Sequence, residues 1–228
     1  DYLATGHYAT GSIAVKVLSF QPIDRIEQLF LHRFQAALAL RQQLGLVGND
    51  RTTCYRLINA EGDGLPGLIV DWYAGAAVVQ AYSAGMGRQL DLIQHCLQAI
   101  YGTALTTIYD KSAAVFGKHQ PATPHLLGSA IQGDVLEHGH HFQVNWQEGQ
   151  KTGFFLDQRE HRQLLAAYAS GKQVLNTFCY SGGFSVYAIQ AGATLVHSVD
   201  SSTKAIAWTD HNVTRNNPHQ VPHAAIAG

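Results

Sequence analysis

Residues Val174 to Asp200 read VLNTFCYSGGFSVYAIQAGATLVHSVD, an apolar run that meets a glycine pair and ends, one hydrophobic segment later, on a carboxylate. Gly182 and Gly183 lack the Cβ that would hold a bound molecule away from the backbone. Asp200 follows the turn by about 20 residues, the separation at which an acid closing a second strand accepts both ribose hydroxyls of an adenosine cofactor.

Two cofactor classes use this layout. A dinucleotide needs a pyrophosphate cradle of the G-x-G-x-x-G type, but the turn here is C-Y-S-G-G-F and the first two required glycines are absent. S-adenosylmethionine carries no phosphate. Its cradle needs only a tight turn and a polar residue near the strand end, here Asn176. The local pattern favours the methyl donor over NAD. The bland alternative is that Gly182 and Gly183 merely permit close packing of strand on helix.

A second stretch, GQKTGFFLDQREHR from Gly149 to Arg162, lies just ahead of that strand. Phe154 and Phe155 could stack on adenine, and an Arg or Lys could meet the carboxylate of the methionine part. Composition alone favours an ordinary helix N-terminus, with Asp157 as cap, Phe155 as staple and the arginines solvated.

The elements that must position these groups follow from periodicity. Lys172 to Phe178 reads as a buried strand, Ser185 to Ala191 as a helix and Ala193 to Asp200 as a second strand. Ser202 to Asn216 reads as a second helix, and Val221 to Gly228 starts a third strand. This β-α-β-α-β order is the opening half of a doubly wound parallel sheet. Upstream, Ser12 to Ser19 alternates as a strand. Ile23 to Leu44 carries an apolar stripe at helical spacing, with Asp24 as N-cap and Gly45 as stop. Strands at Cys54 to Ala60 and Leu68 to Tyr73, a hairpin turn at Ala74-Gly75, a helix from Arg88 to Tyr101, a strand from Leu105 to Asp110 and a hairpin from Val135 to Trp146 make a small α+β domain.

The bulk numbers set limits. The 228 residues are 46% hydrophobic and 14% charged, a globular composition, with a net charge of -1 that by itself predicts no nucleic-acid partner. Lys111, Lys118 and His119 are too sparse for an RNA patch. Cys54, Cys96 and Cys179 form no Cys-x-x-Cys pair, so a disulfide framework or zinc knuckle is not expected; free thiols fit a reducing cytoplasm. No apolar stretch reaches membrane-spanning length. His138, His140 and His141 crowd one hairpin turn, but alternation puts the last two on opposite faces; an exposed hairpin is expected and no metal.

Three motifs now resemble one family in its own order. GQKTGFFLDQR followed by VLNTFCYSGGFS is very similar to the RlmI-like large-subunit rRNA cytosine-C5 methyltransferases. RLINAEGDGLPGLIVDWY (Arg56 to Tyr73) resembles their middle-domain signature, and GHYATGSIAVKVLS (Gly6 to Ser19) the end of their N-terminal PUA domain. The resemblance implies an α/β chain in four parts: a PUA remnant over residues 1–20, a linker helix over 21–48, an α+β middle domain over 49–146, and the first half of a Rossmann-like methyltransferase sheet over 147–228. It implies S-adenosyl-L-methionine as cofactor and a cytosine of 23S ribosomal RNA as acceptor. The family's cofactor motif falls on Asn176, Phe178, Tyr180, Gly182 and Gly183, and its ribose-binding acid on Asp200. Its segment ahead of the sheet falls on Lys151, Thr152, Gly153, Phe154, Asp157, Gln158 and Arg159.

Some positions depart from the family. Arg159, Glu160, His161 and Arg162 stand where Arg-x-Asn-Arg is common, Asp110-Lys111 where Glu-Arg is common, and Lys16 where Arg is common. Cytosine C5 takes a methyl group only after a Cys thiolate has attacked C6. In the family that Cys and an Asp-Pro-Pro loop come after the fourth and fifth sheet strands; this sequence has no Asp-Pro-Pro. Cys179 lies inside the cofactor turn, on the donor side, and is not expected to be the nucleophile. The expectation is a fragment truncated at both ends and without catalytic groups. The first sheet strand would then present an exposed apolar edge, unless another chain, as in a homodimer, covers it.

Overall fold

The structure, a computed structural model, describes residues 1–9, 13–112 and 124–228. Ser12, Lys118 and His119 lie outside the described residues. Two compact units emerge. The first comprises residues 1–49, 53–133 and 146–152, the second residues 50–52, 134–145 and 153–228.

In the first unit, β1 (Thr5–Tyr8) and β2 (Val15–Ser19) pair antiparallel. The stripe of α1 (Ile26–Gln43) buries Phe30, Phe34 and Ala37, as its spacing predicts. The helix begins after Arg25 without a side-chain cap, so Asp24 does not serve as N-cap. Its end does follow the glycine rule. Gly45 has φ +68, its N–H donates to the Gln42 carbonyl and that of Leu46 to the Arg41 carbonyl, a Schellman ending.

The meander β3 (Cys54–Asn59), β4 (Leu68–Tyr73) and β5 (Ala76–Ala81) turns through Ala74 and Gly75, both at positive φ as a two-residue hairpin turn demands. The short α2 (Ala84–Gly87) takes a capping bond from Met86 N–H to Ser83 Oγ, so the following α3 (Leu90–Tyr101) starts later than Arg88. Then β6 (Thr107–Asp110) joins β5 in parallel and β7 (His125–Leu127) completes the order β3-β4-β5-β6-β7. One core gathers Phe30 and Phe34 with Leu57, Val70, Val79, Ile93 and Leu97.

In the second unit, the hairpin β8 (Gln132–Glu137) and β9 (His140–Asn145) precedes α4 (Arg159–Ala169). Next come β10 (Gln173–Thr177), α5 (Gly183–Gln190), β11 (Leu195–Asp200), α6 (Thr203–Arg215) and β12 (His223–Ala227). The sheet is parallel in the order β10-β11-β12, the arrangement its periodicity predicts.

Two expectations need correction. β10 is not buried. It borders the sheet among the described residues, with Gln173, Leu175 and Thr177 exposed and Leu175 at 65%. The hairpin from Val135 to Asn145 belongs to the second unit rather than closing the α+β domain. Asn212 of α6 and Asn216 just after it accept the hairpin's backbone N–H groups at Gln143 and His141, each at 2.9 Å, and Glu137 pairs with the arginines of α4.

Candidate functional site

The turn after β10 is built from backbone in an unusual conformation. Phe178, Tyr180 and Gly182 have φ of +56, +48 and +77. Two of these are aromatic residues in the left-handed region, which bulky side chains seldom occupy, and such strain concentrates where a site needs it. Several groups hold it there. Tyr180 N–H donates to Asp200 Oδ2 at 2.9 Å, and Ser202 N–H donates to Oδ1 at 2.9 Å. Thr209 Oγ1 donates to the Tyr180 carbonyl at 2.8 Å, and Asn212 Nδ2 to that of Ser181 at 2.9 Å. Asp200 therefore sits at the bend, as its spacing predicts. A carboxylate offers about four acceptor positions, so two amides leave it capacity for hydroxyl donors.

The side chains around the bend divide sharply. Phe178 is 89% exposed. The Tyr180 ring stands edge-on to Phe155 and Trp208, and its hydroxyl donates to the Gly153 carbonyl at 2.8 Å. Asn176 Nδ2 donates to Ser185 Oγ at 2.9 Å, Ser185 meets Ser198 Oγ at 2.7 Å, and Ser198 meets His223 Nε2 at 2.9 Å. This polar chain runs under all strands of the small sheet.

The glycines satisfy packing first. A Cβ at Gly182 would lie 2.9 Å from Thr209 Cγ2 and 3.1 Å from Thr209 Cα, and one at Gly183 would lie 3.0 Å from Arg162 Cδ. These contacts set the turn and its helix against two other helices, not strand on helix.

The segment ahead of the sheet is less solvated than composition suggests. Phe154 is 3% exposed, 5.0 Å from the Phe142 ring and 4.7 Å from the Arg162 guanidinium carbon, so it is a core residue. Arg159 and Arg162 are buried, not solvated. Arg162 donates to both oxygens of Glu137 at 2.8 Å, and Arg159 reaches Glu137 Oε2 at 3.4 Å. Asp157 is exposed and does not cap the helix; Gln158 stands at the N-cap and pairs with His161 at 2.9 Å. Lys151 and Thr152 belong to the first unit. There Thr152 Oγ1 donates to Asp71 Oδ2 at 2.5 Å and contacts the Tyr73 hydroxyl at 2.8 Å.

Cys179 is 6% exposed with Sγ 3.4 Å from Thr209 Oγ1, and burial pushes its thiol pKa up. A protonated, enclosed thiol is a poor nucleophile. Cys54 and Cys96 are core thiols, and burial raises Cys96 to about 11. The histidine hairpin is not exposed throughout. His138 Nδ1 lies 3.0 Å from the Tyr187 hydroxyl, and His140 stacks edge-on to the Tyr187 ring at 4.3 Å. Among the described residues no group of three or more His, Cys, Asp or Glu is placed to hold a metal, and no helix is long and apolar enough to cross a membrane.

Sequence reasoning missed Glu137, the fully buried acid on which both arginines converge. Its signal was phase: Glu137 shares the inward face of β8 with Val135. It also missed Thr209 and Asn212, which fix the bend from α6 and look in the sequence like ordinary polar helix positions.

The sequence matches the family of S-adenosylmethionine-dependent methyltransferases over residues 55–228. The chain belongs to that family. It is 38% identical over 223 residues to ribosomal RNA large subunit methyltransferase I of Photobacterium profundum, with 95% of this chain and 55% of the relative covered. The chain thus spans about half the length of the curated relatives it matches, 55% in this case. Among solved structures, a Streptococcus mutans protein described as a SAM-dependent methyltransferase superposes with a TM-score of 0.83 at 27% identity, covering 99% of this chain and 58% of that one. A methyltransferase complexed with SAH superposes with a TM-score of 0.82 at 27% identity, covering 98% and 57%.

Proposed function

We propose that the bend after β10 and the tip of β11 hold the adenosyl part of S-adenosyl-L-methionine, in the service of methyl transfer to C5 of a cytosine in 23S ribosomal RNA. The observation that carries the reading is the contact between the Asp200 carboxylate and the Tyr180 amide, which couples an acid of the ribose-binding kind to a strained, left-handed turn. The nearest support for the acceptor is the similarity to a ribosomal RNA large subunit methyltransferase.

Asp200 would accept from the ribose hydroxyls while Tyr180 and Ser202 amides keep it in place. Phe178, with most of its ring in solvent, would cover the adenine. Asn176, Gly182 and Gly183 would shape the floor, and Asp157 and Gln158 follow in the same role from the resemblance alone. Bound there, S-adenosylmethionine supplies an electrophilic methyl group on sulfur. The pair β1–β2 would be the end of a PUA domain.

Calorimetric titration tests the reading. S-adenosylmethionine and its homocysteine product should bind the chain, and Asp200→Ala should weaken both by more than about tenfold; Asp200→Asn, which keeps an acceptor for one amide, serves as the folding control. Equal binding by Asp200→Ala, or binding of NADH in place of S-adenosylmethionine, would overturn it.

A further inference from the structure

A cavity of about 370 Å³ opens in the first unit, and no residue of the proposed cofactor bend lines it. Its lining includes the cations Lys16, Arg56 and Lys151, against one carboxylate, Glu61, together with Gln80 and Tyr82. Of these, Arg56 is paired with the fully buried Asp71 and Lys16 faces Glu61. The volume is that of a small-ligand or single-nucleotide pocket.

Two of the lining side chains, Arg56 and Tyr82, are held in place by partners of their own. Arg56 is oriented by the fully buried Asp71, with Nε to Oδ1 at 3.0 Å and Nη2 to Oδ2 at 3.1 Å. Asp71 is held in turn by the Thr152 hydroxyl at 2.5 Å. The guanidinium plane is thus set before any ligand arrives, which lowers the ordering cost of binding. Lys16 meets Glu61 only at 3.9 Å, and the Glu61 side chain is 68% exposed. Such a loose surface pair is worth little and yields to a stronger anion. Gly67, at φ +81, forms part of the wall, and a Cβ there would lie 3.2 Å from Ser83 Oγ. Tyr82 is 53% exposed, although it directly follows a strand whose residues are otherwise mostly buried. Its hydroxyl donates to Gln80 Oε1 at 2.6 Å, which restrains the side chain.

We propose that this cavity docks single-stranded RNA, with a backbone phosphate between Lys16 and Arg56 and a base stacked on Tyr82. Cations that track a backbone beside an exposed aromatic are the elements of single-strand binding. The proposal rests on the reading of the protein as an RNA methyltransferase and adds to it a second contact surface, distinct in chain position from the cofactor bend.

The test uses the full chain and a short fluorescein-labelled oligocytidine, with fluorescence anisotropy read at several salt concentrations. Lys16→Gln should weaken binding and reduce the slope of log K against log salt by about 1, the mark of one lost phosphate contact. Tyr82→Ala should weaken binding roughly tenfold and leave the slope unchanged, the mark of lost stacking. Both side chains are solvent-accessible, and thermal melts of both variants verify the fold. Unchanged affinity in both variants, with the unsubstituted chain still binding, overturns the cavity and leaves the methyltransferase reading intact. Competition by free cytidine monophosphate as strong as by the oligomer also overturns it, in favour of a mononucleotide pocket. No binding of the oligomer by the unsubstituted chain overturns both the cavity and the RNA reading, while S-adenosylmethionine calorimetry reports on the cofactor reading separately.

Discussion

Glu137 gathers two arginines and a tyrosine inside the second unit. It is fully buried and receives Arg162 on both oxygens, Arg159 on one and the Tyr187 hydroxyl at 3.1 Å. Glu137→Ala would leave two buried guanidinium groups without their carboxylate, a change that costs about 3–5 kcal/mol. Urea unfolding followed by circular dichroism should show that loss; a cost under about 1 kcal/mol would mean the arginines find other partners. His140 supplies a second prediction. Burial holds its pKa below the usual histidine range, with Glu137 opposing and His138, Arg51 and His141 reinforcing. His223 is lowered the same way, again mainly by burial. A histidine with a lower pKa folded than unfolded binds protons preferentially in the unfolded chain. Its contribution is therefore complete above about pH 6.5 and is lost as pH falls below that toward the folded value. Moving from about pH 7.5 to about pH 5.5 should lower the urea midpoint, and His140→Phe, which keeps the packing on Tyr187, should flatten the dependence. At this scale the sequence displayed the bend and its acid, because Asp200 closes a strand at a fixed distance from the glycines. It concealed the arginine pair, because a charge on a helix is solvated by default and only the carboxylate opposite, far away in sequence, makes burial possible.

Elements fail or succeed by different interactions, and two glycines separate them. Gly45 ends α1 at φ +68 with open space where a Cβ would point. Gly45→Ala should therefore cost only the left-handed backbone, about 1 kcal/mol. Gly182 has φ +77 and also a Thr209 backbone atom 3.1 Å from the would-be Cβ, so α6 must move as well. Gly182→Ala should cost about 2–3 kcal/mol, the sum of strain and overpacking. Thermal melts of the two variants check the order; equal costs would show that α6 gives way freely. The contrast also explains what periodicity could read. Strand and helix alternation is a local property, so the β-α-β-α-β order from Gln173 to Ala227 was legible. The run VLNT by itself looks the same at a border as in a sheet centre; the exposed edge is expected from the family resemblance and not from the run. Membership of the β8–β9 hairpin was hidden for a like reason: the asparagines that bind it lie on α6 and just after it, some 70 residues later in the chain.

The whole chain is two compact units, and a ligand that binds one of them stabilises that one by mass action. With S-adenosylhomocysteine at about 100 times its dissociation constant, the folded form of the binding unit gains about 2.7 kcal/mol. Amide hydrogen exchange reads such a gain segment by segment. Peptides covering Phe178–Gly192 and Leu195–Arg215 should exchange more slowly with the ligand, because the bend, Asp200 and the α6 side chains that hold it share one hydrogen-bonded network. Peptides from Leu68–Ala81, whose stability derives from the Phe30, Val70 and Val79 core, should be unchanged. Slowed exchange confined to Leu68–Ala81 would place the cofactor in the wrong unit altogether and remove Asp200 from its proposed role.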